Sequence, residues 1–370
     1  MMKLIKKIEP EYRLKKMRGA AFIVALLACT GFSGSALSTE TIQLTAVDGY
    51  PPKTLWVKEF INYFIPEIDK RLAKTGNYKI KWNQAWSGQI TKKKKVLEGI
   101  QKGLGDIGVV TTVFHADKVP LQMVAYATPF VTNDPGLVAR TVDDLVRKFP
   151  AYQEAWKKYN QVYLTNLAVF DSYQVFSKDP ITKFADFKGK KINGAGMNLR
   201  YLQGFGAAGV GGSSVKYYNN MKTGVVDGAM LWAEGAVTFK LPEVAPNMLR
   251  ADIGSANSKA ITMNADTWKK LPEEVRKVIA SAAIDYRDHV SKLATEKSAE
   301  AYVNYVKMGG SIHTLSQVDR VTWAKTMPNV AADWASGLEK KGLPGAEILK
   351  TYMDAMRAAG QPIVREWDKE

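Results

Sequence analysis

Between Phe184 and Trp232 the chain reads as one unit repeated: a turn, a short strand, a glycine loop and a helix, then a second strand and helix. Lys188-Gly189-Lys190-Lys191-Ile192 is a polar turn entering a strand, and Gly194 and Gly196 permit a tight bend directly after it. Leu199, Leu202 and Phe205 recur at helical spacing, with Gly206 placed to stop that helix. The pattern repeats up to Val225-Val226-Asp227-Gly228. Such alternation restricts the chain to α/β layers, and in these layers ligands sit in the loops at strand ends.

The rest of the chain extends this pattern. Strands are expected at Thr41–Val47, Tyr78–Trp82, Asp106–Val110 and Tyr163–Phe170. Trp56, Phe60, Phe64, Ile68 and Leu72 fall four apart as an apolar helical stripe, within which Pro66 should kink or split the helix. Helices are expected over 88–104, 135–148, from Gly228 to Phe239, and near 317–336 and 345–358. Residues 266–308 carry one very long helical pattern, with Pro272-Glu273-Glu274 suited to a helix N-terminus.

At the N-terminus, Lys3, Lys6, Lys7, Arg13, Lys15, Lys16 and Arg18 precede an apolar run from Ala20 to Phe32. That run is shorter than the roughly 20 residues that span a bilayer. With the small residues after it, it reads as a signal peptide over residues 1–38, translation starting at Met1 or Met17, which places the mature protein in the periplasm. Cys29, the single cysteine, offers a lipoprotein anchor as the alternative. Beyond residue 38 the chain holds 45 Lys/Arg against 34 Asp/Glu, a surplus of +11 that would steer an anionic ligand or simply form a solvated basic surface.

Several chemistries are disfavoured by spacing. Gly204-Phe205-Gly206-Ala207-Ala208-Gly209 matches a dinucleotide fingerprint, but a helix precedes it where a strand is required, so it reads as a helix-ending turn. His115, His289 and His313 have no partner at metal-ligand spacing, so no metal or other cofactor is expected. No nucleophile elbow or phosphate loop occurs, and an enzyme is not expected. Asp143-Asp144 and Glu273-Glu274 are expected at or near helix starts, where the dipole accounts for them. Lys92–Lys95, taken as helical, would be spread around a solvated face, and basic residues do not interleave with aromatics as nucleic-acid binding requires. What remains is a set of polar and aromatic residues after expected strands: Tyr50, Trp86, Thr111, Thr112, Tyr173, Asn193 and Trp232. Each suits either the wall of a cleft, with Trp86 and Trp232 as flat sides, or ordinary core and turn packing.

In order along the chain, Trp86-Ser87-Gly88, Gly103 to Gly108, Val119-Pro120 to Pro129-Phe130, Lys188 to Ile192 with its loop and helix, Tyr218, Thr223 to Gly228, and Trp268 to Pro272 resemble the DctP-type solute-binding proteins of TRAP (tripartite ATP-independent periplasmic) transporters. The resemblance spans about residues 41 to 330. It implies an α/β, two-domain periplasmic binding protein of the Venus-flytrap type, with a hinge and a long domain-spanning helix. Domain I would hold 41–168 plus 258–298, and domain II 169–257 plus 299–370. It implies capture of a small organic acid by domain closure, and delivery to a small and a large integral membrane subunit.

By the same resemblance, Thr111, Tyr173, the Leu231-Trp232 corner and Asn257-Ser258 fall where ligand contacts would be. The family usually has an arginine, gripping the ligand carboxylate, where this chain has Asn193, which carries no charge. Either another cation takes over, Arg200 being the nearest, or the solute is neutral or lacks a carboxylate. A periplasmic sensor module with the same fold is the other reading.

Overall fold

Residues 39–370 are described by the computed structural model, and the signal-peptide and lipoprotein expectations lie outside them. Along the chain run β1 (Glu40–Val47), β2 (Tyr78–Ala85), β3 (Ile107–Thr111), β4 (Gln161–Leu167), β5 (Gln174–Ser177), β6 (Lys191–Gly194), β7 (Ala208–Gly211), β8 (Gly228–Leu231), β9 (Asn247–Arg250), β10 (Lys259–Asn264) and β11 (Ser311–Thr314). They form a five-stranded sheet in the order β2-β1-β3-β10-β4 and a six-stranded sheet in the order β11-β9-β5-β8-β6-β7. In the first, β1 runs parallel to β2 and β3, while β10 lies antiparallel between β3 and β4. In the second, β6 is parallel to β7 and β8, and β5 is antiparallel to β8 and β9. The chain passes from the first sheet to the second between Leu167 and Gln174, and back between Arg250 and Lys259.

All five residues of the stripe from Trp56 to Leu72 are buried. The helix is not broken at Pro66. The turn Phe60–Phe64 widens to π-helix between the α-helical segments Leu55–Glu59 and Ile65–Leu72. A π-turn is a recognised way for a helix to absorb such an irregularity.

The pattern over 266–308 resolves into a short helix, Ala265–Lys270, and the 35-residue helix Glu273–Lys307. Pro272 forces the break by holding Leu271 in an extended conformation. The same effect before Pro328 divides the expected helix near 317–336 into Gln317–Thr326 and Val330–Glu339. The long helix touches elements of both sheets. Tyr286 donates from its hydroxyl to the Trp56 carbonyl, and Arg287 Nη1 donates to Asp143 Oδ2 at 2.6 Å. Further along, Gln174 Nε2 donates to Tyr302 Oη at 2.9 Å, and Tyr305 Oη donates to the Ala245 carbonyl at 2.5 Å. Among the described residues no helix is long and apolar enough to cross a membrane.

Two local expectations are corrected. Asp143 is not at a helix start; it stands deep in the helix Pro135–Lys148, buried, accepting from Tyr163, Thr165, Asn166 and Arg287. Residues 88–104 are helical only over Val96–Gln101. Ser87 and Gly88 both have positive φ, and Lys92–Lys95 lie in the turns that follow, so these lysines are not dispersed around a helix.

Candidate functional site

Parallel strands present their carboxyl ends on one side of a sheet, and the crevice outside those ends receives ligands. Here the loops after β1 (Tyr50), β3 (Thr111, Val113 and Phe114), β6 (Ala195 and Asn198), β7 (Ser214 and Tyr217) and β8 (Trp232) surround one hollow between the sheets. The antiparallel strands β10 and β5 enter it from their other ends, through Ser258, Lys259 and Tyr173. Close approach of the two sides needs glycine. Gly196 has φ +56°, and a Cβ there would lie 2.3 Å from the Val113 carbonyl oxygen. The volume of this hollow is about 30 Å³.

The walls are aromatic: Tyr50, Phe114, Tyr126, Tyr173, Tyr217 and Trp232. Trp232 stacks on Phe170 at 5.0 Å and 14°, and its indole N–H donates to Glu234 Oε2 at 2.9 Å. The Tyr126 and Tyr173 hydroxyls are 3.1 Å apart.

One lysine enters this apolar wall. Lys259, 2% exposed, heads β10, and the register pairs it with Thr111 of β3. Its ammonium donates to Thr111 Oγ1 at 3.2 Å and lies 4.1 Å above the Trp56 ring and 5.0 Å above the Tyr50 ring, cation–π distances. An ammonium has three donors, and among the described residues Thr111 is the one hydrogen-bond acceptor it meets. Asp48 supplies the counter-charge from a distance. Its carboxylate accepts from Tyr50 N at 2.9 Å and from Trp56 Nε1 at 2.8 Å, so both charges contact the Trp56 indole, Asp48 at its N–H and Lys259 over its face. Burial pushes the Lys259 pKa down and the Asp48 pKa up, each partly offset by the other's charge.

Among the described residues three further buried polar atoms on the wall have no partner at full hydrogen-bond geometry: Asn198 Nδ2, near the Tyr173 hydroxyl, Ser214 Oγ, near the Tyr50 hydroxyl, and Ser258 Oγ. The Ala195 amide donates to Asn198 Oδ1 at 2.7 Å, which leaves Nδ2 as the inward donor. Unpaired buried polar groups are costly and call for an explanation. The hollow thus combines flat apolar walls with a cation and a set of donors and hydroxyls, a donor-rich arrangement that suits an anionic head group on a compact apolar body.

Of the sequence candidates, Tyr50, Thr111, Tyr173, Trp232 and Ser258 line this hollow. Trp86 packs edge-on against Phe60 at 5.4 Å, and Thr112 Oγ1 donates to the Asn257 carbonyl. Asn257 Nδ2 is spent on Gln122. Asn193 is wholly buried off the hollow, donating to the Val210 carbonyl at 3.0 Å and accepting from Asn220 Nδ2 at 2.9 Å. Arg200 does not line this hollow; it pairs with Asp333 outside it. Sequence reasoning missed Lys259, Asn198, Ser214, Tyr126 and Tyr217. The available signal for Lys259 was a lysine opening the otherwise apolar run Ala260-Ile261-Thr262-Met263. Among the described residues no three His, Cys, Asp or Glu side chains converge as a metal site would require.

The family model of the bacterial extracellular solute-binding proteins, family 7 (DctP), matches residues 49–337. The C4-dicarboxylate-binding periplasmic protein DctP of Rhodobacter capsulatus is 26% identical over 178 residues, 46% of this chain and 53% of that protein. The chain spans about half the length of the curated relatives it matches. Among solved structures, a TRAP solute-binding protein from Rhodoferax ferrireducens T118 in complex with copurified benzoate superposes with a TM-score of 0.77 at 17% identity, covering 86% of this chain and 98% of that one. A TRAP periplasmic solute-binding protein from Bordetella bronchiseptica with bound (R)- and (S)-mandelate gives 0.75 at 19% identity, covering 86% and 99%. At these identities the likeness is one of fold.

Proposed function

Because this chain belongs to family 7 of the bacterial extracellular solute-binding proteins, we propose that it is the exported capture subunit of a TRAP-type transporter, and that its solute is a small organic acid with a flat, largely apolar body. The observation that carries the acid reading is Lys259, a buried ammonium with donors to spare inside an aromatic hollow. It occupies the role that Asn193 cannot fill, from a different strand of a different sheet. Benzoate and mandelate, bound by two structural neighbours, have this shape and charge.

Capture would proceed by closure. One lobe corresponds to residues 41–168 plus 258–298 and the other to 169–257 plus 299–370, with the strand crossings as the hinge. A solute held by Lys259 and Thr111 on one side and by Asn198, Ser214 and Trp232 on the other gains its full set of contacts only when the lobes meet, which stabilises the closed form. The closed protein would hand the solute to the small and large membrane subunits without chemical turnover.

The test is thermal unfolding of the mature chain against benzoate, mandelate, aliphatic mono- and dicarboxylates, amino acids, sugars and sulfonates. A solute at about 100 times its Kd adds roughly 2.7 kcal/mol. Stabilisation by compact carboxylates is expected; stabilisation by neutral sugars alone would overturn the acid reading.

A further inference from the structure

A second hollow opens beside the first, on the far side of the Gly49-Tyr50 and Ser213-Ser214 pairs. Its volume is about 530 Å³, against about 30 Å³ for the inner hollow. Its charged lining is Lys92, Lys93 and Lys94 from the turns after β2, and Lys216 from the helix Ser214–Lys222 after β7. No Asp or Glu lines it among the described residues. Gly49 lets the turn press in, since a Cβ there would lie 2.0 Å from Lys93 N.

These lysines are sparsely engaged. Lys92 Nζ donates to the Gly88 carbonyl at 3.2 Å, and Lys94 Nζ lies 5.2 Å over the Phe114 ring. Lys93 and Lys216 have no ion pair or side-chain hydrogen bond among the described residues. The pKa of Lys93 is pushed down by partial burial, then by the charges of Lys216 and Lys94. Lys93, in a turn after β2, and Lys216, in the helix after β7, follow strands of different sheets, so their repulsion acts across the cleft and opposes its narrowing. An anion between them would convert that repulsion into a bridge.

We propose that this four-lysine hollow is a second anion site, which takes a multivalent oxyanion between the two sides of the cleft and thereby favours the closed form. A solute carrying a second acidic group, or a free oxyanion such as phosphate or sulfate, supplies that chemistry. The solute source rests on the acid-capture reading; the free-oxyanion source does not.

The wild type is compared with Lys93→Gln/Lys216→Gln, and with Lys79→Gln/Lys81→Gln on the exposed face of β2 as a control. Sodium sulfate and sodium phosphate are titrated against sodium chloride at equal ionic strength, with Tm as the readout. Benzoate and terephthalate, which share a ring and differ by one carboxylate, are titrated by calorimetry. A free-oxyanion site predicts an extra Tm rise of about 3 °C with sulfate or phosphate at saturating concentration, kept in the control and lost in Lys93→Gln/Lys216→Gln. A solute-borne second group predicts that terephthalate loses tenfold or more in affinity in that variant while benzoate does not. Because sulfate and phosphate stabilise folded proteins by exclusion as well, the proposal is overturned if their extra Tm rise over chloride is the same in Lys93→Gln/Lys216→Gln as in the wild type and neither acid changes by more than about twofold. A failure of the acid-capture reading is read separately, from Lys259→Met, which leaves the outer lysines intact.

Discussion

Replacing Lys259 with methionine keeps an unbranched apolar stem one atom shorter and removes the charge. The ammonium is 2% exposed, meets a single protein acceptor, and faces the hollow with donors to spare. Charge-assisted hydrogen bonds contribute about 1.5–3 kcal/mol each, and truncating one partner of a buried charge pair costs about 2–5 kcal/mol of binding. A loss near 3 kcal/mol corresponds to about a hundredfold in Kd. The folded state should suffer much less. Lys259 and Asp48 make no contact ion pair, and Asp48 keeps its bonds from Tyr50 N and Trp56 Nε1. Its raised pKa also makes a proton an accessible substitute for the missing cation. Removing Lys259 meanwhile relieves the desolvation of a buried ammonium. Calorimetry with the tightest-binding carboxylate of the panel, beside thermal unfolding of the same sample, separates the two effects. A folded Lys259→Met that binds this carboxylate within threefold of the wild type would refute the assignment of Lys259 as the carboxylate's cation.

Other consequences follow from the same geometry. Burial depresses Lys259 below the ordinary lysine value of 10.5, and a bound anion restores it; carboxylate affinity should therefore fall as pH rises through the lowered value, by up to tenfold per unit, with proton uptake visible in buffers of different ionisation enthalpy. Unliganded stability has the opposite sign from this group: the unfolded chain keeps the Lys259 proton up to about 10.5 and the folded chain does not, so the burial penalty is relieved as pH rises through that window. Trp232→Ala should abolish the wall stacked on Phe170, weaken flat carboxylates at least tenfold and cost about 3–5 kcal/mol of stability, whereas Trp86→Phe should leave affinity unchanged in the same titration. Asp143→Ala should leave Arg287 with Asp288 alone and take the acceptor from the buried donors of Tyr163, Thr165 and Asn166, costing about 3 kcal/mol or more in chemical denaturation. Asn193→Arg should lower Tm rather than create a carboxylate clamp, because that side chain is packed against Val210 and Asn220 away from the hollow.

Much of the architecture was legible because it rests on local periodicity and backbone restriction. The strands after Lys190 and before Trp232, the stripe from Trp56 to Leu72 and the helix Pro135–Lys148 all follow from residue spacing within a few turns. The ordered motifs from Trp86 to Pro272 were enough to identify the family. Local rules erred where the same residues admit two backbones. Lys92–Lys95 carry no signal that distinguishes a helix from turns, yet that choice decides whether Lys92, Lys93 and Lys94 scatter or converge on one hollow.

The candidate site divides along the same line. Tyr50, Thr111, Tyr173 and Trp232 could be named from sequence because each follows or borders a strand end, which is a local property. Lys259 could not, because its meaning comes from the antiparallel register that sets it against Thr111, 148 residues away, and from the burial that only the packed Tyr50 and Trp56 rings provide. Sequence by itself determined which residues form the walls' strands and helices, since those depend on neighbours in the chain. Tertiary structure alone decided which cation faces the hollow and that Asn193 does not, since a charge gains its role from neighbours in space.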